Sequence, residues 1–306
     1  MDTRMQIAQF CSGKIRQALE NAGNEVFADA EEIRIRAGKG MKIKKRNKEI
    51  YLDENGKIID RESAFIPEIE ELQQTALFLS GYSPFAYKEF ISSGFITICG
   101  GHRVGISGHA VIKDGRVDMV RDVSSFNIRI AHSVKDCGKS LMKYIDGNKI
   151  KNTVIVSPPG CGKTTVLRDI ARIISDGGKN VSVVDERGEI AAVYKGCAQN
   201  DVGCNTDVLD GFSKAEGMII ALRSLGPDVI VCDEAGSESD IEALKTISLC
   251  GVSMICTVHG NCIEDVRKRL KEAADEFEVF VLLKKDKGVR KAVIYDRKNM
   301  IGDEVL

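Results

Sequence analysis

The chain has 306 residues, with 44 Lys plus Arg against 45 Asp plus Glu and a formal net charge of −1. That length accommodates two modest domains, and the charge balance excludes a protein whose whole surface is a polyanion-binding face while leaving room for a local basic patch. Charged residues at 29% and apolar residues at 43% suit a folded globular chain, and no apolar run approaches the roughly 18 residues that cross a bilayer.

Residues 5–19 carry apolar side chains at helical spacing, through Met5, Ile7, Ala8, Cys11, Ile15, Ala18 and Leu19. Alternation follows at Ile33, Ile35 and Ala37, and short strands are expected at Met41, Ile43 and 50–52, ahead of the turn-like Asn55-Gly56. Pro67 opens a second helix with Ile69, Leu72, Ala76, Leu77 and Leu79 on one face, and a third short helix is expected around Ala86, Phe90 and Ile91. Period two returns at 95–99, 103–106, 109–112, 117–120 and 126–130, broken by Gly100-Gly101, Gly108 and Asp114-Gly115. These patterns predict an N-terminal α+β domain over 1–146, the last part being a linker helix with Leu141, Met142 and Ile145.

Over 147–306 strand and helix alternate, the pattern of a mostly parallel α/β sheet covered on both faces. Strands are expected at 153–156, 181–184, 228–232 and 253–258, with helices beginning after 162, 213, 237 and 261. A hairpin of 279–283 and 289–295 is expected to close the sheet. The last six residues carry too little pattern to place.

The most specific motif is the buried strand running into Ser157-Pro158-Pro159-Gly160-Cys161-Gly162-Lys163-Thr164-Thr165 and then into an amphipathic helix. Backbone N–H groups of such a loop converge on phosphate oxygens at a helix N-terminus. Lys163 is placed for the β- and γ-phosphates and Thr164 for Mg²⁺. Ser157 stands where the common pattern has glycine, and the two prolines supply no N–H, so the donors come later in the loop. ATP and Mg²⁺ are therefore the expected ligands.

A second apolar strand delivers Asp233 and Glu234 at its C-terminal end, Asp233 for the metal and Glu234 for the attacking water. Asp185, Glu186 and Arg187 end another such strand; Asp185 is a further metal candidate, and either Glu186 or Glu234 can be the base. The strand at 253–258 delivers Thr257 and His259, a position from which a hydrogen-bonding side chain senses phosphate or positions water. Charge that develops during hydrolysis needs a cation, and Arg103, Arg121, Arg129, Arg187 and Arg223 are the candidates. The ten cysteines include no CxxC pair, and Cys256-x2-His259-x2-Cys262 lacks a fourth ligand for zinc. Free thiols and an N-terminus without a signal-like apolar core lead to the expectation of a cytoplasmic chain.

In combination, 157–165, 185–192, 221–234 and 257–259, with 100–108 and 124–131, resemble the stage III sporulation protein AA family. More distantly they resemble the hexameric ATPases of type II and type IV secretion and of pilus retraction. The resemblance implies a RecA-like P-loop NTPase core with an N-terminal α+β domain, assembled as a ring of six. It sets Asp185–Glu189 at the aspartate box and 257–259 at the histidine box, and weights the base toward Glu234. It also implies docking from the cytoplasmic, mother-cell side onto membrane proteins of a channel needed for endospore development. A nucleic-acid-dependent ATPase of helicase type is the alternative, carried by the basic run Lys39, Lys42, Lys44, Lys45, Arg46 and Lys48. The same run also suits a solvated hairpin edge. A non-hydrolysing binding module is disfavoured, since binding phosphate alone needs no placed base.

Overall fold

The computed structural model describes residues 2–46, 48–82, 94–286, 289–297 and 299–306. The helix expected around Ala86, Phe90 and Ile91 lies outside the described residues. The chain divides into two compact units, Met1–His132 with Tyr194–Gln199, and Ser133–Val193 with Asn200–Leu306.

In the first unit the stripe at 5–19 is two helices, Thr3–Ala8 and Gly13–Asn21. Both bury the same side, so Ile7, Cys11, Ile15 and Leu19 keep one period across the break. The break is made by Ser12, whose amide donates to Thr75 Oγ1 at 3.1 Å, and by Gly13 at φ +53. The helix Ile69–Leu79 holds that break from the other side, its Glu71 Oε1 accepting from the Lys14 amide at 2.7 Å.

Seven antiparallel strands form this unit's sheet, in the order Ile58–Ile59, Lys48–Leu52, Lys39–Lys45, Ala30–Arg36, Arg116–Arg129, His102–Lys113 and Ile96–Ile98. The segments expected between 103 and 130 merge into two long strands joined at Asp114-Gly115, both with positive φ (51° and 75°), the two-residue turn that suits strand twist. The basic run does not lie at an edge. Lys39–Lys45 sits between two strands, with Met41 and Ile43 buried, while Lys42 pairs with Glu49 at 2.5 Å and Lys44 with Glu31 at 3.3 Å.

The second unit is built on eight strands in the order Thr206–Asp210, Val181–Asp185, Val229–Cys232, Ser253–His259, Thr153–Ser157, Val279–Asp286, Val289–Tyr295 and Met300–Val305. The first six run parallel, Val289–Tyr295 turns back antiparallel to them, and Met300–Val305 pairs antiparallel with it in turn. Two strands exceed the sequence expectation, one at each edge. Thr206–Asp210 is largely polar and half exposed, and Met300–Val305 contains Gly302, Asp303 and Glu304, so neither carries a buried strand's apolar run.

The helices Lys163–Asp176, Lys214–Ser224, Glu238–Leu249 and Ile263–Leu270 begin within a residue of the expected positions. At Glu238–Leu249 the reason is visible: Ser237 and Asp240 cap one another's backbone N–H groups reciprocally. The boundary expected at 146/147 falls at 132/133 instead. Leu141 and Ile145 of the expected linker helix are completely buried in the second unit's core, among Ile155, Leu167 and Ile170. No helix among the described residues is long and apolar enough to cross a membrane.

Candidate active site

The strand Thr153–Ser157 is buried along its whole length, which fixes where the following loop emerges. Gly160 and Gly162 take φ of +77 and +86, a region that side chains with a β-carbon avoid, so both turns of the loop need glycine. The helix from Lys163 is then pinned to the sheet by Val166, Leu167, Ile170, Ala171 and Ile174. Its first-turn N–H groups have no acceptor within the helix, which makes the loop end a site for an anion. Around it, Ser157 is buried with Oγ donating to Pro158 O at 2.8 Å, and Cys161 is half-buried. The Thr165 carbonyl accepts from Cys137 Sγ at 3.8 Å.

Ser253–His259 lies between the loop strand and Val229–Cys232, with Cys256 level with Cys232 and His259 level with Ser157. One residue further along each strand, Thr257 and Asp233 stand side by side. The Thr257 hydroxyl donates to Asp233 Oδ1, and Thr164 Oγ1 donates to Oδ2 at 2.6 Å. Asp233 therefore ties the start of the loop helix to the middle of the sheet. Burial holds its carboxyl above the ordinary aspartate range, against the opposing pull of the two hydroxyls.

Lys163 is buried, and desolvation lowers its pKa. Its Nζ lies 2.9 Å from His259 Nδ1 and 3.4 Å from the Ser157 carbonyl. An ammonium only donates, so Nδ1 accepts and the imidazole proton sits on Nε2. That nitrogen is 2.5 Å from Glu234 Oε1, while Arg187 Nη1 reaches Glu234 Oε2 at 3.2 Å. Lys163, His259, Glu234 and Arg187 thus form one connected chain. Glu234 itself is held at φ +54, with its amide donating to Thr257 Oγ1 at 2.9 Å.

Other residues singled out by the sequence fall differently. Asp185 is not a free metal ligand: its two oxygens accept the backbone N–H groups of Glu189, Ile190 and Ala191 at 2.7, 3.1 and 2.8 Å. The carboxylate organises the turn after its strand. Asp185→Ala is expected to destabilise the protein by about 2–4 kcal/mol. A lowered thermal midpoint already present without nucleotide or Mg²⁺ checks this, whereas the loss of a metal ligand would register only in their presence.

Glu186 is ion-paired with Lys214, which opens the helix Lys214–Ser224. Both acids, Glu186 and Glu234, line a cavity of about 300 Å³ that also includes His259 and Ser237. Lys214 escaped the sequence reading because a lysine at a helix start has the pattern of a surface residue. Arg223 is exposed in the last turn of Lys214–Ser224. That turn leads into the N-terminal end of Val229–Cys232, opposite to the end carrying Asp233, so Arg223 does not join this site. Arg103 belongs to the first unit, its guanidinium 4.4 Å above the Phe95 ring.

Among the described residues no three or more His, Cys, Asp and Glu side chains are grouped to hold a metal. Thr164 and Asp233 offer hard oxygen donors, and two protein oxygens suit a Mg²⁺ that keeps water and phosphate as its other ligands.

The model of the family described as sporulation stage III, protein AA, matches residues 1–301. The chain belongs to the sporulation stage III protein AA family. Within that family, stage III sporulation protein AA of Bacillus subtilis (strain 168) is 36% identical over 292 residues, spanning 92% of this chain and 92% of the relative. Among solved structures, the ATPase DotB of Legionella pneumophila is similar with a TM-score of 0.58 at 17% identity, over 93% of this chain and 81% of that one. The pilus retraction motor PilT with bound ADP gives a TM-score of 0.57 at 14% identity, over 90% and 82%. Those two likenesses are of fold: this sporulation family member has the mixed α/β fold of both.

Proposed function

We propose that this chain is a RecA-like P-loop ATPase that hydrolyses ATP to ADP and phosphate with Mg²⁺ and does mechanical work in endospore development. The observation that carries the reading is the convergence of Lys163, Thr164, Asp233, Glu234, Thr257 and His259 at the C-terminal ends of three adjacent parallel strands. The crevice at strand C-termini is where open α/β sheets bind ligands. The loop N–H groups and Lys163 hold the polyphosphate. Glu234 accepts the proton of the attacking water, and His259 orients Glu234 while sharing a hydrogen bond with Lys163. When bound by Thr164 and Asp233, Mg²⁺ supplies electrostatic stabilisation of charge on the phosphate oxygens.

Family membership and the fold shared with the ATPase DotB and the pilus retraction motor PilT support the wider role. We read the protein as a homo-oligomer, a ring of six, that acts from the cytoplasm of the mother cell on membrane proteins of a sporulation channel. Hydrolysis drives the first unit as its moving part, and a neighbouring subunit supplies a charge-neutralising arginine, Arg103 being the candidate. Acidic partners neutralise Lys42 and Lys44, two of the six cations on which the nucleic-acid alternative rests. The reading is tested with the purified full chain: Mg-ATP should bind and release phosphate, turnover should vanish on chelating Mg²⁺, and specific activity should rise with protein concentration. Absence of Mg-ATP binding by the folded protein overturns it.

A further inference from the structure

On the side of the phosphate loop away from Asp233, Val279–Asp286 pairs with Thr153–Ser157, and Val289–Tyr295 pairs with it in turn. Leu282 is level with Val156, so Lys285 lies beyond the strand end, at the height of the loop, with Arg290 opposite it in register. Arg290 comes closest. A β-carbon at Gly162 would stand 2.6 Å from its Nη2 and 2.7 Å from its Cζ, so the guanidinium lies against the residue preceding Lys163. Among the described residues no carboxylate forms an ion pair with Arg290. Beside it opens a cavity of about 460 Å³, lined by Gly160, Cys161, Lys285 and Arg290 and by the apolar Val134 and Val289. That volume and mix of apolar wall with few charges suit a small organic ligand.

A nucleotide held by the loop has two ends. Attack by water needs the terminal phosphate near Glu234 and Asp233, which lie toward the Ser253–His259 side. The nucleoside end then runs the other way, over Gly162 and toward Val289–Tyr295. We propose that Arg290, assisted by Lys285, binds the α-phosphate of the nucleotide and that the adjoining cavity receives the nucleoside. This assignment rests on the nucleotide-binding reading above. The α-phosphate is unchanged by hydrolysis, so Arg290 holds triphosphate and diphosphate alike and acts on affinity rather than on the chemical step.

The test is calorimetric titration of Mg-ATP and Mg-ADP into the full chain, with steady-state phosphate release, for the parent, Arg290→Met and Arg290→Lys. Arg290→Met keeps an aliphatic stem and removes the charged guanidinium that lies against Gly162. It is expected to weaken ATP and ADP by the same factor, about tenfold, and to raise KM with kcat within about twofold. Arg290→Lys should recover most of the loss. Parent-like affinity for both nucleotides in folded Arg290→Met overturns the proposal, as does a loss confined to ATP, which would put the arginine at the γ-phosphate. Should Arg290→Met not fold, the exposed Lys285→Met gives the same reading: equal weakening of both nucleotides supports the subsite, and unchanged affinity overturns it. A parent that fails to bind Mg-ATP at all defeats the nucleotide site itself, an outcome distinct from a parent that binds and a variant that matches it.

Discussion

Glu234→Gln should bind Mg-ATP with nearly the parent's affinity and release phosphate about 10²–10⁴ times more slowly, the range that a positioned general base contributes. Glu234 ends the buried strand at φ +54, with one oxygen toward His259 and the other toward Arg187. The amide of glutamine is nearly isosteric and retains an acceptor, so the loop, the helix and Asp233 keep their places. What disappears is the ability to take a proton. Glu186→Gln is the matched comparison, since Glu186 lines the same cavity but is ion-paired with Lys214. Its turnover should fall much less. A Glu234→Gln protein that hydrolyses ATP at the parent rate, or a Glu186→Gln protein that alone loses turnover, assigns the base to Glu186.

Lys163→Met should weaken Mg-ATP binding by about 10²–10³-fold, the value of losing charge-assisted bonds to phosphate in a buried setting. The empty protein should not suffer correspondingly. Burial lowers the Lys163 pKa, so the charged form opposes folding at neutral pH, and that penalty is relieved as pH rises past the folded value toward that of an ordinary lysine. Removing the ammonium removes the penalty, at the cost of the bonds to His259 and Ser157. Titration calorimetry reads the affinity, and a nucleotide-free thermal melt reads the stability. A large fall in the melting midpoint would mean that Lys163 is chiefly structural; an unchanged affinity would remove it from phosphate binding.

The parts of this site that were legible in the sequence are those whose geometry is local. An apolar strand, a glycine turn and a helix start occupy consecutive residues at 153–165, and Asp233 directly follows its buried strand, so their neighbourhood follows from the alternation of strand and helix. Roles set by distant backbone were not legible. Asp185 has the same context as Asp233, yet the N–H groups of residues 189–191 occupy its oxygens, and nothing in its residue type or spacing announces that. Arg223 lies away from its own chain's site for a directional reason: a helix that feeds a parallel strand ends beside the strand's start. Arg290 lies 128 positions from Gly162 along the chain and meets it only because the final hairpin adds to the loop strand's open side. The two edge strands escaped because half-exposed strands tolerate polar residues that blur their period.

The segment Tyr194–Gln199 leaves the second unit, joins the first and returns. There the Tyr194 ring meets Phe10 edge-on at 5.9 Å, and Gln199 Oε1 accepts from the Gly100 amide at 2.8 Å. The polypeptide therefore crosses between units three times, after His132, Val193 and Gln199. No single cut can part the molecule into two self-sufficient fragments: a truncation at 132 deprives the first of a borrowed hairpin, and the remaining piece carries an orphaned one. Genetic dissection of this protein has to transplant that loop along with the N-terminal fragment, and a protease nick after His132 would leave residues 194–199, a part of the first unit, covalently attached to the second.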